Sequence, residues 1–536
     1  MRKTLLLTVT LCAGVTLWAQ GNKKYFEYGK WMEIQADVMQ DVAKYYADTV
    51  PVGEMYRAGI DKMLSMLDPY TVYIPESEQE DFEMMVTNTY GGIGAIINKE
   101  DADGYVTINE PYADTPAAKA GLRCGDELLR ISGKDSRSLT TSEASSLLRG
   151  KAGTSVTVLV KKVRTGEEAE LQIIRERITL PTVEYWGMRD NATGYILLSG
   201  FIDGTSKEVR EAFDDLKAKG MKRLVLDLRG NGGGLLEEAV KIVSLFVPKG
   251  TLVVSSKGTD GDIPHYTESE PVDKEIPLLI LVNSTSASAS EIVAGAIQDL
   301  DRGTVAGTRS FGKGLVQRVL PVRYNGQVKV TVAKYYTPSG RCVQAKDYSH
   351  RSPDGSVGDI PDSLTHEFKT SKGRIVRDGG GISPDITVEN EKLSRTAYGV
   401  YMAGLCDRWP IEYCRLHDSI AAVDEFALSD EEYGNFIKWA LTKEFDCRSE
   451  SAVDYECLVE SMKKDGTFDA AREQLDILKS LVKVDKESAL LSVKSELKPM
   501  LEKEIIARYY FKGASLGYFL KYDKQLEQAV SKWTAK

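Results

Sequence analysis

The stretch "KRLVLDLRGNGGGLLEEAV" (222–240) decides the fold that this sequence predicts. Its apolar run predicts a buried strand, its successive glycines predict a tight loop, and the residues that follow have the spacing of a helix. The same unit recurs before and after it, with strands predicted at 193–201 and 276–283 and helices at 206–219, 235–246 and 290–300. Continuous apolar strands that alternate with helices are typical of a parallel sheet covered by helices, so the predicted class is α/β.

The rest of the chain differs in character from this central segment. At 536 residues the protein is too long for a single core. We predict an N-terminal helical region at 20–88, a β-rich domain with two helices at 89–177, the α/β core at 178–392 with an insert near 350–378, and a C-terminal helical domain at 393–536. That last domain fits a scaffold, a lid or the surface of a homo-oligomer equally well. The net charge of −10 disfavours nucleic acid as a partner, since such binding needs a basic face.

The first residues predict export. An apolar run from Leu5 to Trp18 follows two basic residues, and Ala19 supplies a small residue at a cleavage point, as in a secretory signal peptide spanning 1–19. The run is shorter than the roughly 20 residues of a membrane-spanning helix. We therefore predict an exported, periplasmic protein with no transmembrane span after cleavage. An uncleaved, membrane-associated form is the alternative.

Cysteine and histidine are too sparse for a metal site. The chain has seven cysteines and four histidines, and none of their spacings resembles a zinc site. We predict no metal and no cofactor. Four cysteines lie in the last third of the chain, where they either form disulfides or stay as buried thiols: Cys406, Cys414, Cys447 and Cys457.

A run of serines follows one of the predicted strands. In "LVNSTSASASEIVAGAI" (281–297) a strand leads through a short turn into a helix that begins at Ala289 or Ser290. A serine at that junction has its hydroxyl beside the free N–H groups of the helix, where an oxyanion would be stabilised. Glu291 falls in the first turn, where the helix dipole favours a negative charge. The alternative is that these serines only cap the helix and fill the turn.

A lysine downstream is the candidate base. Lys313 stands in "SFGKGLVQ" (310–317), and in a strand it would share one face with Gln317. A lysine acts as a base only if burial lowers its pKa from about 10.4; Gln317 could orient the amine without adding charge. An exposed lysine in a glycine loop is the alternative. The glycines at 232–234 could offer an amide to an oxyanion, whereas a phosphate-binding loop would need a Walker pattern that is absent.

Four blocks together resemble the carboxyl-terminal processing peptidases, also called tail-specific proteases. These are "DLRGNGGG" (227–234), "SASASEI" (286–292), "FGKGLVQ" (311–317) and "YYTPSGR" (335–341), which occur in the order of that family. The resemblance covers roughly residues 55–390. It implies a serine endopeptidase with Ser288 as nucleophile, Lys313 as base and Gln317 as its orienting partner. It also implies an oxyanion hole formed by the amides of Ala289 and of one glycine in the loop, for which we choose Gly233.

The same resemblance implies that residues 89–177 form a PDZ domain. Its carboxylate-binding loop would be "YGGIG" (90–94), with backbone amides of Gly91, Gly92, Ile93 and Gly94 binding the end of a peptide that adds to the sheet as a strand. The expected partners are therefore proteins or peptides with exposed C-terminal tails. Two other functions fit the same residues: a PDZ scaffold without catalysis, and a hydrolase of small esters or amides.

Overall fold

The structure is a computed structural model, and it describes residues 25–99, 101–352, 355–483 and 485–534. The signal peptide predicted at 1–19 lies outside these residues. Within them, no helix has both the length and the apolar character that crossing a membrane requires. The chain divides into two compact units. The first holds the described residues up to Tyr73 and residues 319–330, and the second holds 74–318 and 331 onward.

The first unit contains the N-terminal helices and a turn. Helix α1 covers residues 25–45 and helix α2 covers Val52–Ser65, so the apolar spacing in this region predicted helices correctly. Trp31, Ile34 and Val38 of α1 are nevertheless exposed. In the turn, Tyr324 and Asn325 both have positive φ angles, 58° and 53°, so the two central residues of this hairpin turn are Tyr-Asn rather than Asn-Gly.

A β-rich domain with two short helices follows, as expected for a PDZ domain. Its sheet has the strand order β3-β4-β5-β7-β8, with β6 beside β5, while β2 pairs separately with β9. Apolar side chains such as Ile108, Leu128 and Val158 fill the core beneath helix α5. Strand β1 Val72–Ile74 and helix α3 Gln79–Thr87 precede the domain. The bounds of its own elements are β2 Thr89–Gly92, β3 Ala95–Asn98, β4 Val106–Pro111, α4 Pro116–Lys119, β5 Glu127–Ile131, β6 Lys134–Asp135, α5 Thr141–Leu148, β7 Ser155–Lys161, β8 Glu168–Ile174 and β9 Glu176–Thr179.

The central segment is a six-stranded sheet of order β10-β11-β12-β15-β16-β23, parallel except for β10. Because its strands point the same way, the loops that follow β12, β15 and β16 meet at one edge. Helices α6, α7 and α8 cover one face. The bounds are β10 Val183–Met188, β11 Thr193–Leu198, α6 Thr205–Ala218, β12 Arg223–Asp227, α7 Leu236–Ser244, β15 Leu278–Val282, α8 Ala289–Asp299, β16 Thr304–Gly307 and β23 Ile386–Thr387.

Hairpins extend from this core. Strand β13 pairs with β14 and with the end of β18, and β17 pairs with β18. The segment of the insert expected near 350–378 carries two small antiparallel pairs, β19–β20 and β21–β22. The bounds are β13 Leu252–Gly258, β14 Gly261–Tyr266, β17 Leu315–Pro321, β18 Gln327–Tyr336, β19 Lys346–Arg351, β20 Val357–Asp359, β21 Glu367–Lys369 and β22 Ile375–Arg377.

The last third of the chain is helical, as predicted. Most of its helices pack around a core of their own that includes Trp409, Tyr433 and Phe436. Helix α16 instead buries Leu526, Ala529 and Val530 against the second face of the six-stranded sheet, so the sheet is covered on both faces. The bounds are α9 Arg395–Met402, α10 Leu405–Leu416, α11 Asp430–Ala440, α12 Glu450–Lys464, α13 Arg472–Val482, α14 Lys486–Ser492, α15 Lys494–Phe519 and α16 Lys524–Thr534.

Candidate active site

The four serines of the run after β15 have different environments. Ser286 donates its hydroxyl to the carbonyl of Leu228, and Ser290 donates to the carbonyl of Asn231. Both are buried, whereas Ser284 is exposed in the turn. Ser288 is half-buried and immediately precedes α8, with φ 56° and ψ −115°. A non-glycine residue in this backbone region is strained, and such strain concentrates at functional sites.

Lys313 lies in irregular backbone rather than in a strand. Strand β17 begins at Leu315, so the expectation that Lys313 and Gln317 share a strand face is wrong for the lysine. The glycines on either side of Lys313 are buried, and the lysine itself is half-buried. A Cβ on Gly314 would come within 2.8 Å of the backbone nitrogen of Gln344. The chain is therefore closely packed here, and this packing fixes the path of the backbone around the lysine.

Glu291 connects the turn at Ser288 to the segment of Lys313, a role that the sequence did not reveal. Its Oε2 accepts the backbone N–H of Ser288 at 2.9 Å and that of Lys313 at 2.8 Å. The two backbone nitrogens are consequently no more than about 6 Å apart. Its Oε1 accepts the hydroxyl of Ser310 at 2.6 Å and the N–H of Gly312 at 2.7 Å. Four donors on one carboxylate hold both segments in one geometry.

The carboxyl group of Glu291 is fully buried, with 0% of the residue exposed. Burial raises its pKa, and the hydrogen bonds from Ser310, Lys313, Gly312 and Ser288 oppose that rise. Donors of this kind stabilise the ionised form, because a carboxylate accepts hydrogen bonds and a protonated carboxyl accepts fewer. Glu291 was predicted only as an acidic residue near the helix dipole, because three of its four partners are 19 to 22 residues away in the sequence.

The predicted oxyanion donors lie beside Ser288. Ala289 is the first residue of α8, and an amide in that position has no acceptor within the helix. Gly233 has φ 99°, and a Cβ there would come within 2.7 Å of the Cβ of Ser288. The glycine loop and the serine turn are thus in close contact at a position where a side chain would not fit. This contact supports the choice of Gly233 among the three glycines.

The amide of Gly233 has a hydrogen-bond partner that the sequence did not predict. It donates to Oδ1 of Asn231 at 2.9 Å. The side chain of Asn231 is fully buried, and its amide nitrogen donates to the backbone carbonyl of Leu198. The backbone carbonyl of Asn231 accepts the amide of Ala287. Asn231 therefore joins the end of β11, the glycine loop and the serine turn.

Gln317 is half-buried on β17 and donates its side-chain amide to the hydroxyl of Thr331 at 3.3 Å. Thr331 lies on the neighbouring strand β18. The amide group of Gln317 is thus held across the hairpin that follows Lys313.

A cavity of about 720 Å³ lies in the PDZ domain. It lies between β3 and α5, which is where PDZ domains bind peptide ends. Of the four predicted loop residues, Ile93 and Gly94 line the cavity, whereas Gly91 and Gly92 belong to β2 and pair with β9. In the described residues, the amides of Ile93 and Gly94 donate no backbone hydrogen bond. These two amides are therefore available to a ligand.

The lining of this cavity contains both apolar and charged side chains. Apolar side chains of Ile97, Leu148 and Met84 contribute to its wall, and Met84 comes from helix α3. Arg149, just after α5, also lines it and forms an ion pair with Asp81 at 3.1 Å. The cavity therefore combines an apolar wall with one cation and free amides.

Comparisons with known proteins point to one family. The model of peptidase family S41 matches residues 192–356, a PDZ-domain model matches 107–162, and the model described as "Probable PDZ-protease, C-terminal helical domain" matches 400–532. The carboxy-terminal-processing protease of Bartonella bacilliformis is 34% identical over 343 residues, which cover 63% of this chain and 78% of that protein. The carboxy-terminal processing protease CtpA of Bacillus subtilis is 32% identical over 351 residues, which cover 64% of this chain and 74% of that protein.

Among solved structures, the photosystem II D1 C-terminal processing protease aligns with 26% identity and a TM-score of 0.36, covering 69% of this chain and 95% of that chain. The fold and the sequence relationships define a multidomain serine-type peptidase with a PDZ domain, an S41 core and a C-terminal helical domain. The chain belongs to the carboxy-terminal-processing protease family.

Proposed function

We propose that this protein is an exported endopeptidase that binds the C-terminal tail of a protein in its PDZ groove and cleaves the substrate with a Ser288/Lys313 dyad. The names of its relatives describe processing at carboxyl termini. The main support for the dyad is a pair of hydrogen bonds to Glu291, because one of its carboxylate oxygens accepts the backbone N–H groups of both Ser288 and Lys313. No histidine is needed in this arrangement.

The chemistry follows from the placement of these groups. A neutral amine on Lys313 accepts the proton of the Ser288 hydroxyl as its oxygen attacks the scissile carbonyl. The amide of Ala289 and that of Gly233, released from Asn231, then donate to the oxyanion. Lysinium protonates the leaving amine, and an acyl-enzyme remains on Ser288. A water molecule deprotonated by the same lysine hydrolyses the ester and restores the hydroxyl.

The PDZ cavity would bind the tail. The free amides of Ile93 and Gly94 can donate to a terminal carboxylate, and the cation of Arg149 favours the same charge. The apolar wall formed by Ile97, Leu148 and Met84 suits an apolar last residue. The peptide backbone would extend β3 as an additional strand.

The test compares Ser288→Ala and Lys313→Ala with the unaltered protein on a peptide that ends in an apolar residue. We expect the unaltered protein to cleave the peptide, both variants to lose cleavage by at least about 10³-fold, and all three to bind the tail equally. Ser284→Ala is the matched control, because Ser284 is exposed in the same turn. Cleavage that persists in Ser288→Ala would refute the dyad.

A second assay addresses the docking step. Converting the terminal carboxylate of the peptide to an amide removes the charge that Ile93, Gly94 and Arg149 would bind. We expect the amide to bind at least about tenfold more weakly, as loss of a charge-assisted contact predicts. Equal affinity of the acid and the amide would exclude carboxylate capture by this loop.

Export is a further part of the proposal, and it depends on residues 1–19. If they form a cleaved signal peptide, the mature protein recovered from cells begins at Gln20. N-terminal sequencing of the protein from an exported fraction tests this directly. A protein recovered with its first residues intact would favour the membrane-associated form.

A further inference from the structure

The PDZ domain and the C-terminal helical domain share a buried contact. Arg508 of α15 donates to the side chain of Asn109 on β4 at 3.2 Å, and the backbone amide of Lys512 donates to Glu110 at 3.1 Å. Burial raises the pKa of the Glu110 carboxyl, as expected for an acidic group covered by a neighbouring domain. This contact lies outside the proposed active site.

Two cysteines meet in the same contact, one from each domain. Cys124 follows α4 in the PDZ domain, and Cys414 lies near the end of α10 in the helical domain. The two thiols lie close enough to influence each other, because Cys414 raises the pKa of Cys124 and Cys124 lowers the pKa of Cys414. Only 4% of Cys124 and 7% of Cys414 are exposed. The sequence analysis did not consider this pair, because 289 residues separate the two positions.

The neighbouring residues confirm that the two segments are in close contact. A Cβ on Gly125, next to Cys124, would come within 2.9 Å of a methyl group of Ile411. Ile411 precedes Cys414 by three residues on α10, so their side chains lie on the same face of that helix. The segments that carry Cys124 and Cys414 are therefore in side-chain contact, and a disulfide between them requires their Cα atoms to come within about 7 Å of each other.

The environment of the pair favours a thiolate. The pKa of Cys414 is lowered, first by the hydrogen bond from Cys124 and also by the charge of Arg508. The pKa of Cys124 is raised, because its thiol is the donor of that bond and is buried. The side chain of Arg508 is only 2% exposed, and its Nε has no hydrogen-bond partner in the part of the chain that the structure describes. A neighbouring guanidinium favours the thiolate of a cysteine, which can react once the contact opens and exposes it.

We propose that Cys124 and Cys414 form an interdomain disulfide by exchange with an external disulfide, either a low-molecular-weight disulfide or that of a protein oxidant. The Cys414 thiolate attacks the external disulfide, forms a mixed disulfide and releases one thiolate. The Cys124 thiol gives its proton to that thiolate, and its sulfur then attacks the sulfur of Cys414 and releases the second thiolate. The protein loses two electrons and two protons, and the external disulfide becomes two thiols.

The cross-link would fix the PDZ domain to the helical domain. Both thiols are covered while the domains are docked, so the exchange takes place during folding or while the contact is briefly open. The closed loop would then include the S41 core between the two cysteines. Because the bond lies far from Ser288 in the sequence and forms no part of the dyad, the proposal does not depend on peptidase activity.

The experiment uses the full chain carrying Ser288→Ala, which prevents self-digestion, treated with oxidised glutathione. The protein is then denatured, its free thiols are blocked with N-ethylmaleimide, and peptides are mapped without reduction. We expect one cross-linked pair that contains Cys124 and Cys414 and is lighter than the two peptides by two hydrogens. We also expect the thermal midpoint of the oxidised protein to shift upward and to return after reduction.

Controls distinguish this bond from accidental oxidation. Cys457 is exposed, so Cys457→Ser should leave the cross-link unchanged, whereas Cys124→Ser and Cys414→Ser should each abolish it. The mapping on the chain with all its cysteines decides the question even if one variant folds poorly. If Cys124 and Cys414 are both found modified by N-ethylmaleimide after oxidation, or if Cys414 is linked to any other cysteine, the proposal is overturned.

Discussion

The two carboxylate oxygens of Glu291 accept hydrogen bonds from four donors, and two of these donors are backbone N–H groups of the proposed dyad. Holding reacting groups in a fixed geometry is one of the largest contributions a protein makes to a reaction rate. A buried carboxylate suits this purpose because leaving any of its donors unpaired costs free energy. At the scale of single residues, the site therefore depends on a group that is not expected to contact the substrate.

Glu291→Gln should lower kcat about 100-fold with little change in KM. The amide nitrogen of glutamine cannot accept a hydrogen bond, so two of the four donors lose their acceptor and the turn and the lysine segment separate. Steady-state kinetics on the tail peptide measures the effect. Glu237→Gln on exposed α7 surface is the control and should change neither constant. An unchanged kcat in Glu291→Gln would exclude a positioning role.

Gly233→Ala should abolish cleavage, whereas Gly232→Ala should have little effect. Alanine at 233 is strained at φ 99°, and its Cβ would meet the carbonyl of Ala287 at 2.6 Å and the Cβ of Ser288 at 2.7 Å. A Cβ at 232 has no neighbour within 4 Å among the described residues. The ratio of kcat/KM for the two variants measures the difference. Equal activity in both would show that this glycine does not approach the nucleophile.

At the scale of elements, the entry into α8 combines a strand end, a strained residue and a helix start. Sequence patterns predicted the strand and the helix, since "IPLLILVN" and the helix from 289 or 290 correspond to β15 and α8, but they did not predict the strained backbone of Ser288. They did not predict the backbone of Lys313, because glycines on both sides made a strand and a loop equally consistent. The start of β17 is set instead by the packing of Gly312 and Gly314 against Ala345 and Gln344, which are 30 or more residues away.

The PDZ loop illustrates the same limit. The sequence "YGGIG" predicted the loop, but it could not show that Gly91 and Gly92 pair with Arg177 and Glu176. That pairing closes the domain and joins residues more than 80 positions apart. Local patterns therefore predicted the elements, and long-range contacts decided which glycine amides remain available to a ligand.

Ser288→Gly should be more stable than Ser288→Ala by about 1 kcal/mol. Both lack the hydroxyl, but φ 56° and ψ −115° strain alanine and are open to glycine. The greater flexibility of glycine in the unfolded chain offsets part of the gain. The midpoints of urea unfolding of the two inactive variants measure the difference. A Ser288→Ala protein that is equally or more stable would indicate that this turn carries no strain.

At the scale of the whole chain, the C-terminal helical domain is joined to the catalytic core through Arg229. This arginine follows β12, binds Asp227 beside it, and donates to Asp523 and Gln525 at the start of α16. Asp523 also accepts the amide of Leu526 and so caps α16. The sequence assigned no role to this last third of the chain, because its amphipathic helices could have faced any partner. In the structure, α16 supplies the second covering layer of the sheet.

Asp523→Ala should destabilise the protein by about 2 kcal/mol, because it removes a charged partner of half-buried Arg229 and the cap of α16 together. Glu391→Ala is the matched control. Glu391 pairs with the neighbouring Lys524, but both side chains are more than half exposed, at 57% and 61%. Such pairs contribute less than about 1 kcal/mol. Urea unfolding compares the two variants, and equal effects would contradict the account of this contact.

The central claim is that an uncharged Lys313 amine activates Ser288 and no other serine of the run. The most direct measurement is the rate at which a fluorophosphonate labels the protein as a function of pH, with the labelled residue identified by peptide mapping. We expect the label on Ser288 alone, at a rate that rises from neutral into mildly alkaline pH and falls by at least about 10²-fold in Lys313→Ala. A label on Ser284, Ser286 or Ser290, or a rate that stays flat down to about pH 5, would contradict the account.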